Sequence, residues 1–193
     1  IEAKSWEKAL CLMEDVVRQE DGSIDSYLNY IFLLETIALY ADFGSAIRGE
    51  AQRMMPKAYA AAKEKYADNP DFLFFFGFMA SRCGWFYDED PEFPKRIFRR
   101  AHEMCPDNEL YRMSELDRGP CEENEPFHWW IVKNMENYGI MSKLINLGPI
   151  GLDFISCLVG VLTTQALMRG KKSLEEKNCY VYLLQRLRMY KTA

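Results

Sequence analysis

Apolar positions recur along this chain at intervals of three and four residues, the spacing that lines side chains along one face of an α-helix. Trp6, Ala9, Leu10, Met13, Val16 and Val17 predict a helix over Ala3–Arg18, broken by Asp21-Gly22-Ser23. Leu28, Ile31, Phe32, Glu35 and Leu39 predict a second over 25–40, after which Phe43-Gly44-Ser45 turns the chain, with Ser45 placed to act as an N-cap. A third helical region covers 46–67, where Pro56 is expected to kink the helix or begin a new one. Phe72, Leu73, Phe74, Phe75, Phe76, Phe78 and Met79 make 71–82 a very apolar helix. The acidic loop Asp88, Glu89, Asp90, Pro91 and Glu92 follows, then a short helix over 94–104 stopped by Pro106-Asp107-Asn108. Residues 113–126 read as a polar, acidic connection punctuated by Gly119, Pro120 and Pro126, non-helical before Pro126. Trp129 and Trp130 then begin a helix running through Met135. Leu147-Gly148-Pro149-Ile150-Gly151 is a turn before an apolar core helix over 152–168, and Tyr180, Leu183, Leu184 and Leu187 give 173–190 one apolar face. Strand alternation and Asn-Gly or Asp-Gly hairpins between β-branched runs are missing, so the fold class is all-α.

Two stretches match 39 residues apart: Ala62-Lys63-Glu64-Lys65-Tyr66-Ala67-Asp68-Asn69 and Ala101-His102-Glu103-Met104-Cys105-Pro106-Asp107-Asn108 share Ala, Glu, Asp and Asn at the same positions. Each closes a helix and precedes an aromatic segment. A period of this size belongs to stacked helical hairpins, where each unit needs its neighbour to bury its apolar face. Over 70–108 the chain resembles a tetratricopeptide repeat: Leu73, Phe76, Gly77 and Ala80 fall where its first helix carries large, large, glycine and packing residues. Phe98, Ala101 and Pro106 have the spacing of its second helix and stop. Gly77 and Ala101 would let the two helices approach closely. The copy departs from the pattern by about five extra residues, the acidic loop, inserted into a period of roughly 34. The resemblance covers about 85 residues, from about Phe32 to Tyr111, and implies stacked antiparallel hairpins. The whole chain is expected to form one all-helical domain, with hairpin repeats over 1–112, the acidic connection 113–126 and C-terminal helices over 127–193.

Charge and composition narrow the partner classes. The chain has 193 residues, 49% of them hydrophobic and 27% charged, which is globular, and a net charge of −5, which disfavours nucleic acid as partner. From Arg169 onward seven basic residues face two acids, so that segment is +5 and the remainder −10. The basic 173–190 segment reads as a cap over the last apolar face, with an acidic partner, a membrane surface or RNA as alternatives. Cys11, Cys83, Cys105, Cys121, Cys157 and Cys179 lie far apart with no Cys-x-x-Cys pair. They read as small buried hydrophobes in a reducing cytosol rather than as zinc ligands or disulfides. The expected location is therefore cytoplasmic. The N-terminal residues are charged and helical in pattern rather than those of a secretory leader. The 150–168 stretch, interrupted by Asp153, Gln165 and two glycines, reads as a buried helix rather than a membrane span.

No constellation for catalysis stands out. Phosphate-binding glycine loops and the Gly-x-Ser-x-Gly elbow are missing, and His102-Glu103 lacks the second His of a metalloprotease helix. His128 with Cys121 and Glu125, or the carboxylate pairs Glu122-Glu123 and Asp88/Asp90, could be imagined as acid/base or metal groups. A hydrogen-bonded loop histidine and solvated acidic loops are the simpler readings. The chain is expected not to be an enzyme and to need no cofactor or metal.

The binding features are acidic and aromatic. Asp88, Glu89, Asp90 and Glu92 follow Trp85, Phe86 and Tyr87; Glu122, Glu123 and Glu125 precede Trp129 and Trp130. Acids flanking exposed tryptophans form a credible hot spot for a basic partner, the alternative being that the tryptophans pack into the core. As an acidic, tetratricopeptide-like chain of this size with a terminal block outside the repeats, it resembles immunity proteins of bacterial toxin systems, contact-dependent growth inhibition among them. That resemblance implies a cytoplasmic, non-catalytic protein that neutralises one cognate, basic, nuclease-type toxin. A general tetratricopeptide-like adaptor binding peptides or partner proteins is the alternative.

Overall fold

The computed structural model describes residues 3–18, 22–39, 44–87, 90–116 and 125–168. Among them are eight α-helices, two 3-10 segments and no strand. The helices are α1 (Ala3–Arg18), α2 (Ile24–Leu39), α3 (Ser45–Tyr66), α4 (Pro70–Cys83), α5 (Phe93–Met104), α6 (Glu125–Glu136), α7 (Tyr138–Asn146) and α8 (Pro149–Met168). The 3-10 segments are Gly84–Tyr87 and Glu109–Glu115. The chain forms two compact units: Ile1–Ser114 with Leu147–Ile150, and Glu115–Asn146 with Gly151–Ala193.

In the first unit α1 packs on α2, α2 on α3 and α4 on α5, with α2 also against α4. The corner between α1 and α2 forms where Ser23 Oγ accepts from the Ser26 amide at 3.2 Å, capping α2. Lys65 Nζ and Tyr66 Oη both donate to the Gly22 carbonyl, at 2.9 and 2.5 Å, which ties the corner to the end of α3. The start of α3 differs from the sequence expectation. Gly44 is its N-cap with no side-chain bond, and Ser45 is already its first residue. Pro56 does not begin a new helix either; α3 runs through it. Buried Ala51 and Met55 before the proline, and Ala58 and Tyr59 after it, hold both halves, while Pro56 faces water. Packing here outweighs the amide hydrogen bond that proline forfeits.

The repeat in the sequence is a repeat of turn chemistry. Asn69 Oδ1 accepts from the amides of Asp71 and Phe72, at 2.9 and 3.2 Å, and Pro70 occupies the first turn of α4. Thirty-nine positions on, Asn108 Oδ1 accepts from the Leu110 amide at 3.1 Å. The backbone enters both turns alike, Asn69 N donating to Tyr66 O at 3.0 Å and Asn108 N to Cys105 O at 3.1 Å. Ala62 and Ala101, the matched alanines, are fully buried. The two ends are also linked directly, because Tyr111 Oη donates to the Asp71 carboxylate.

The core of this unit is aromatic. Tyr59 stacks on Phe76 at 4.2 Å, Phe76 stacks on Phe72 at 5.6 Å, and Tyr87 meets Phe76 edge-on at 4.8 Å. α4 meets α5 at Gly77, where an added Cβ would lie 2.9 Å from Phe98 Cε1 and 3.1 Å from Ile97 Cγ1. The close approach expected there is present. Leu147–Ile150 join this unit through one side chain: Asn29 Nδ2 donates to Leu147 O at 2.7 Å and Asn29 Oδ1 accepts from Ile150 N at 3.3 Å. Gly148 at φ 81° makes that turn, a left-handed conformation that suits glycine.

In the second unit α6 packs on α7, whose first turn is capped by Asn137 Oδ1 accepting from Ile140 N at 3.1 Å. Gly151 faces the backbone of Leu144, whose carbonyl oxygen would sit 1.9 Å from a Cβ at that position. The apolar helix expected from 152 begins at Pro149, since proline suits a first helical turn. Between 151 and 162 it is one-sided rather than central: Gly151, Phe154, Ile155, Leu158 and Leu162 are buried, while Leu152, Ser156, Cys157 and Gly160 are exposed. No helix among the described residues is long and apolar enough to cross a membrane. The basic segment 173–190 lies outside the described residues.

Candidate functional site

Two groups of residues were singled out in the sequence, and they fall in different units. Asp90 and Glu92 belong to the first, Trp129 and Trp130 to the second. Asp88, Glu89, Glu122 and Glu123 lie outside the described residues, and Glu125 opens α6.

Asp90 is exposed but not a free charge. Its two carboxylate oxygens accept from Arg96 Nη1 and Nη2 at 2.9 and 2.7 Å, a bidentate pair, and Oδ1 also accepts from the Glu92 amide at 2.9 Å. The Arg96 guanidinium, foremost, holds the Asp90 carboxyl below its ordinary range. Glu92 pairs with Lys95 Nζ at 3.0 Å. The cause is local sequence: α5 reads Phe93-Pro94-Lys95-Arg96-Ile97-Phe98-Arg99-Arg100, so its first turns carry bases beside the acids that precede it. Asp68, at the end of the previous hairpin, pairs with Arg100 in the same way. In the described part of the acidic insertion, Asp90 and Glu92 thus each have a basic partner within the chain. Of the aromatics before it, Tyr87 is buried.

The two tryptophans separate cleanly. α6 begins at Glu125, four residues before the start expected at Trp129, and the helical step of 100° per residue turns neighbours apart. Trp130 is 3% exposed and stacks on Phe127 with ring centroids 5.6 Å apart, so it serves the core rather than a partner. Trp129 is 64% exposed, with only His128 edge-on at 5.6 Å among its ring contacts. Tyr138, at the start of α7, is exposed as well. Trp129 is therefore the single described member of the predicted set that offers a large apolar surface to a partner.

The sequence reading missed one chemically distinctive cluster. Glu35 occupies an apolar-stripe position of α2 and is 1% exposed. Arg82 of α4 reaches it, Nε to Oε1 at 3.0 Å, with the guanidinium 4.4 Å above the Phe78 ring and 5.9 Å from that of Phe32. Beside them Cys83 is fully buried, its Sγ donating to Met79 O at 3.4 Å, and buried Tyr87 donates from Oη to Met55 Sδ at 3.8 Å. Burial, and then the Glu35 carboxylate, push the Cys83 thiol well up; burial and the neighbouring Cys83 and Glu35 push the Tyr87 phenol up. Both groups are held protonated, which suits structural hydrogen bonding rather than nucleophilic chemistry. The available signal was Glu35 itself, a lone carboxylate at a position where the pattern wants an apolar residue.

Of the cysteines, Cys11, Cys83, Cys105 and Cys157 are not joined in disulfides. Cys11 and Cys157 are exposed, contrary to the expectation of burial, because each falls on the outward side of its helix. Cys121 and Cys179 lie outside the described residues. No group of three or more His, Cys, Asp or Glu side chains suited to hold a metal occurs among the described residues. Compared with protein-family models, with curated proteins and with solved structures, this chain finds no match.

Proposed function

We propose that this chain is a non-catalytic protein-binding protein and that, as its resemblance to immunity proteins suggests, it binds and neutralises a cognate toxin. The observation that carries the binding reading is Trp129, exposed over 64% of its surface on a well-formed helix directly after the acidic run Glu122, Glu123 and Glu125. Tryptophan is among the residues that dominate interface energetics. The internal pairing of Asp90 and Glu92 moves the weight of charge complementarity to Glu122, Glu123 and Glu125, which precede Trp129 in the sequence.

Recovery of the tagged chain from its native cell, with its partners identified by mass spectrometry, tests this. The expected result is one stoichiometric basic protein, released by salt, with affinity lowered at least tenfold by Trp129→Ala (about 1.4 kcal/mol or more). Unchanged affinity in that variant would sink the assignment of the surface. A set of unrelated peptide partners would favour the adaptor reading, which the successive pairs α2 with α3 and α4 with α5 support.

A further inference from the structure

α4 poses a problem of orientation. An amphipathic helix finds its rotation by turning its apolar stripe inward, but residues 72–80 of α4 are all buried, including five phenylalanines. Its hydrophobic pattern alone does not fix its rotation, which against α5 is restricted by Gly77, where an added Cβ would lie 2.9 Å from Phe98. Phe72, Phe75, Phe76 and Met79 also repeat at helical spacing, so a slip of one turn, about 5.4 Å, would put ring against ring again. Apolar contact between α2 and α4 is therefore permissive, and something directional must set the register.

The polar anchors stand at the two ends of α4. At its start Asn69 caps the helix and Asp71 accepts from Tyr111 Oη. At its end Arg82 reaches Glu35 on α2 at 3.0 Å. Glu35 is one of only two buried polar or charged residues among those described, the other being Asn134 in the second unit. Removing a carboxylate from water costs several kcal/mol, and the attraction of a buried pair seldom returns more than that cost. A leucine at 35 and a methionine at 82 would fill similar space without the penalty. The pair is thus poorly explained as a source of stability, but well explained as a position-specific contact, since the two charges come within 3.0 Å at only one rotation and one register of α4.

We propose that Glu35 and Arg82 form a register lock, which selects one packing of α4 on α2 from several that are nearly equal in apolar burial. Cys83 supplies a built-in reporter, since it follows Arg82 directly and is fully buried in the locked arrangement. The test is the double variant Glu35→Leu/Arg82→Met. The expected result is a urea midpoint equal to or above that of the parent, together with multiple or broadened amide resonances for α2 and α4. Thiol labelling of Cys83, mapped by peptide mass, should accelerate at least tenfold. A double variant with one sharp set of resonances and a protected Cys83 would overturn the proposal. So would a double variant that is clearly destabilised or unfolded, since the pair would then be there for stability. The single variant Arg82→Met, which removes the positive charge 3.0 Å from the buried Glu35 carboxylate, is expected to be less stable than the double variant. The reverse order would also overturn the lock.

Discussion

Arg82 meets three neighbours of different kinds: the Glu35 carboxylate at 3.0 Å and the faces of Phe78 and Phe32. Truncating it to alanine removes the counter-charge and the aromatic packing together. Arg82→Ala should therefore lower stability by about 3 kcal/mol, the low end for a broken buried pair because the arginine is 30% exposed; urea denaturation reads this directly. Gly77 is limiting for a different reason. A methyl there would meet the Phe98 ring at 2.9 Å in a packed core, so Gly77→Ala should cost about 1–3 kcal/mol despite alanine's better helix propensity. At Gly151 the obstacle is the Leu144 carbonyl, which cannot rotate aside as a ring can, so Gly151→Ala should be the more damaging of the two. A parallel thermal melt of the two variants decides the order.

Among elements, α3 is the one whose sequence works against it, since Pro56 removes an internal hydrogen bond from an exposed position of a continuous helix. Pro56→Ala should raise stability by about 2 kcal/mol or a little more, the helix penalty of proline less its benefit in restricting the unfolded chain; a higher urea midpoint with unchanged slope would show it. Helix positions were largely legible from the sequence because the apolar spacing and the breakers agree: α1 falls on Ala3–Arg18, and α5 begins one residue before the expected start. Ends were less legible. Ser45 looked like a cap, yet the chain enters α3 through Gly44, and a cap depends on backbone angles that composition does not encode. The repeat was legible in its letters but not its meaning, because only the structure reveals Asn69 and Asn108 as the acceptors that restart the chain after each turn. For the candidate site, adjacency of Trp129 and Trp130 hid their opposite fates. Acids next to bases at Asp90, Glu92, Lys95 and Arg96 are likewise a sequence fact whose consequence, mutual neutralisation, needs geometry.

At the scale of the whole molecule, alkaline pH is the condition that should test it most. Tyr30 is pushed up to about 12, mainly by burial and next by Glu14, and burial also drives Cys83, Tyr87 and Tyr111 upward. Each group has its folded value raised above its unfolded one, so the folded state holds protons that the unfolded state releases. The stability they confer is complete below the ordinary thiol value of 9.0 and falls as pH climbs past it toward the folded values, with the phenols joining from 10.0. Once the unfolded thiol is ionised, Cys83 alone contributes a decline of about 1.4 kcal/mol per pH unit. Urea midpoints between pH 7 and 10 should fall at the upper end, and Cys83→Ala should flatten the first part of that fall. A flat profile in the parent protein would contradict these assignments.

Asn29 bridges to Leu147 across 118 positions of sequence, which imposes an order of events when the chain is made. On the ribosome the α2–α3 and α4–α5 pairs emerge early and can close on local contacts, but the amide of Asn29 must wait until Leu147–Ile150 leave the exit tunnel. Closing an unstructured loop of that length would cost about 4 kcal/mol in chain entropy beyond a constant term, far more than one side chain's two hydrogen bonds return. The bridge therefore forms economically only after the intervening helices have shortened the loop. The first unit is thus begun by its own helices and completed only after residues 115–146 of the second have been made.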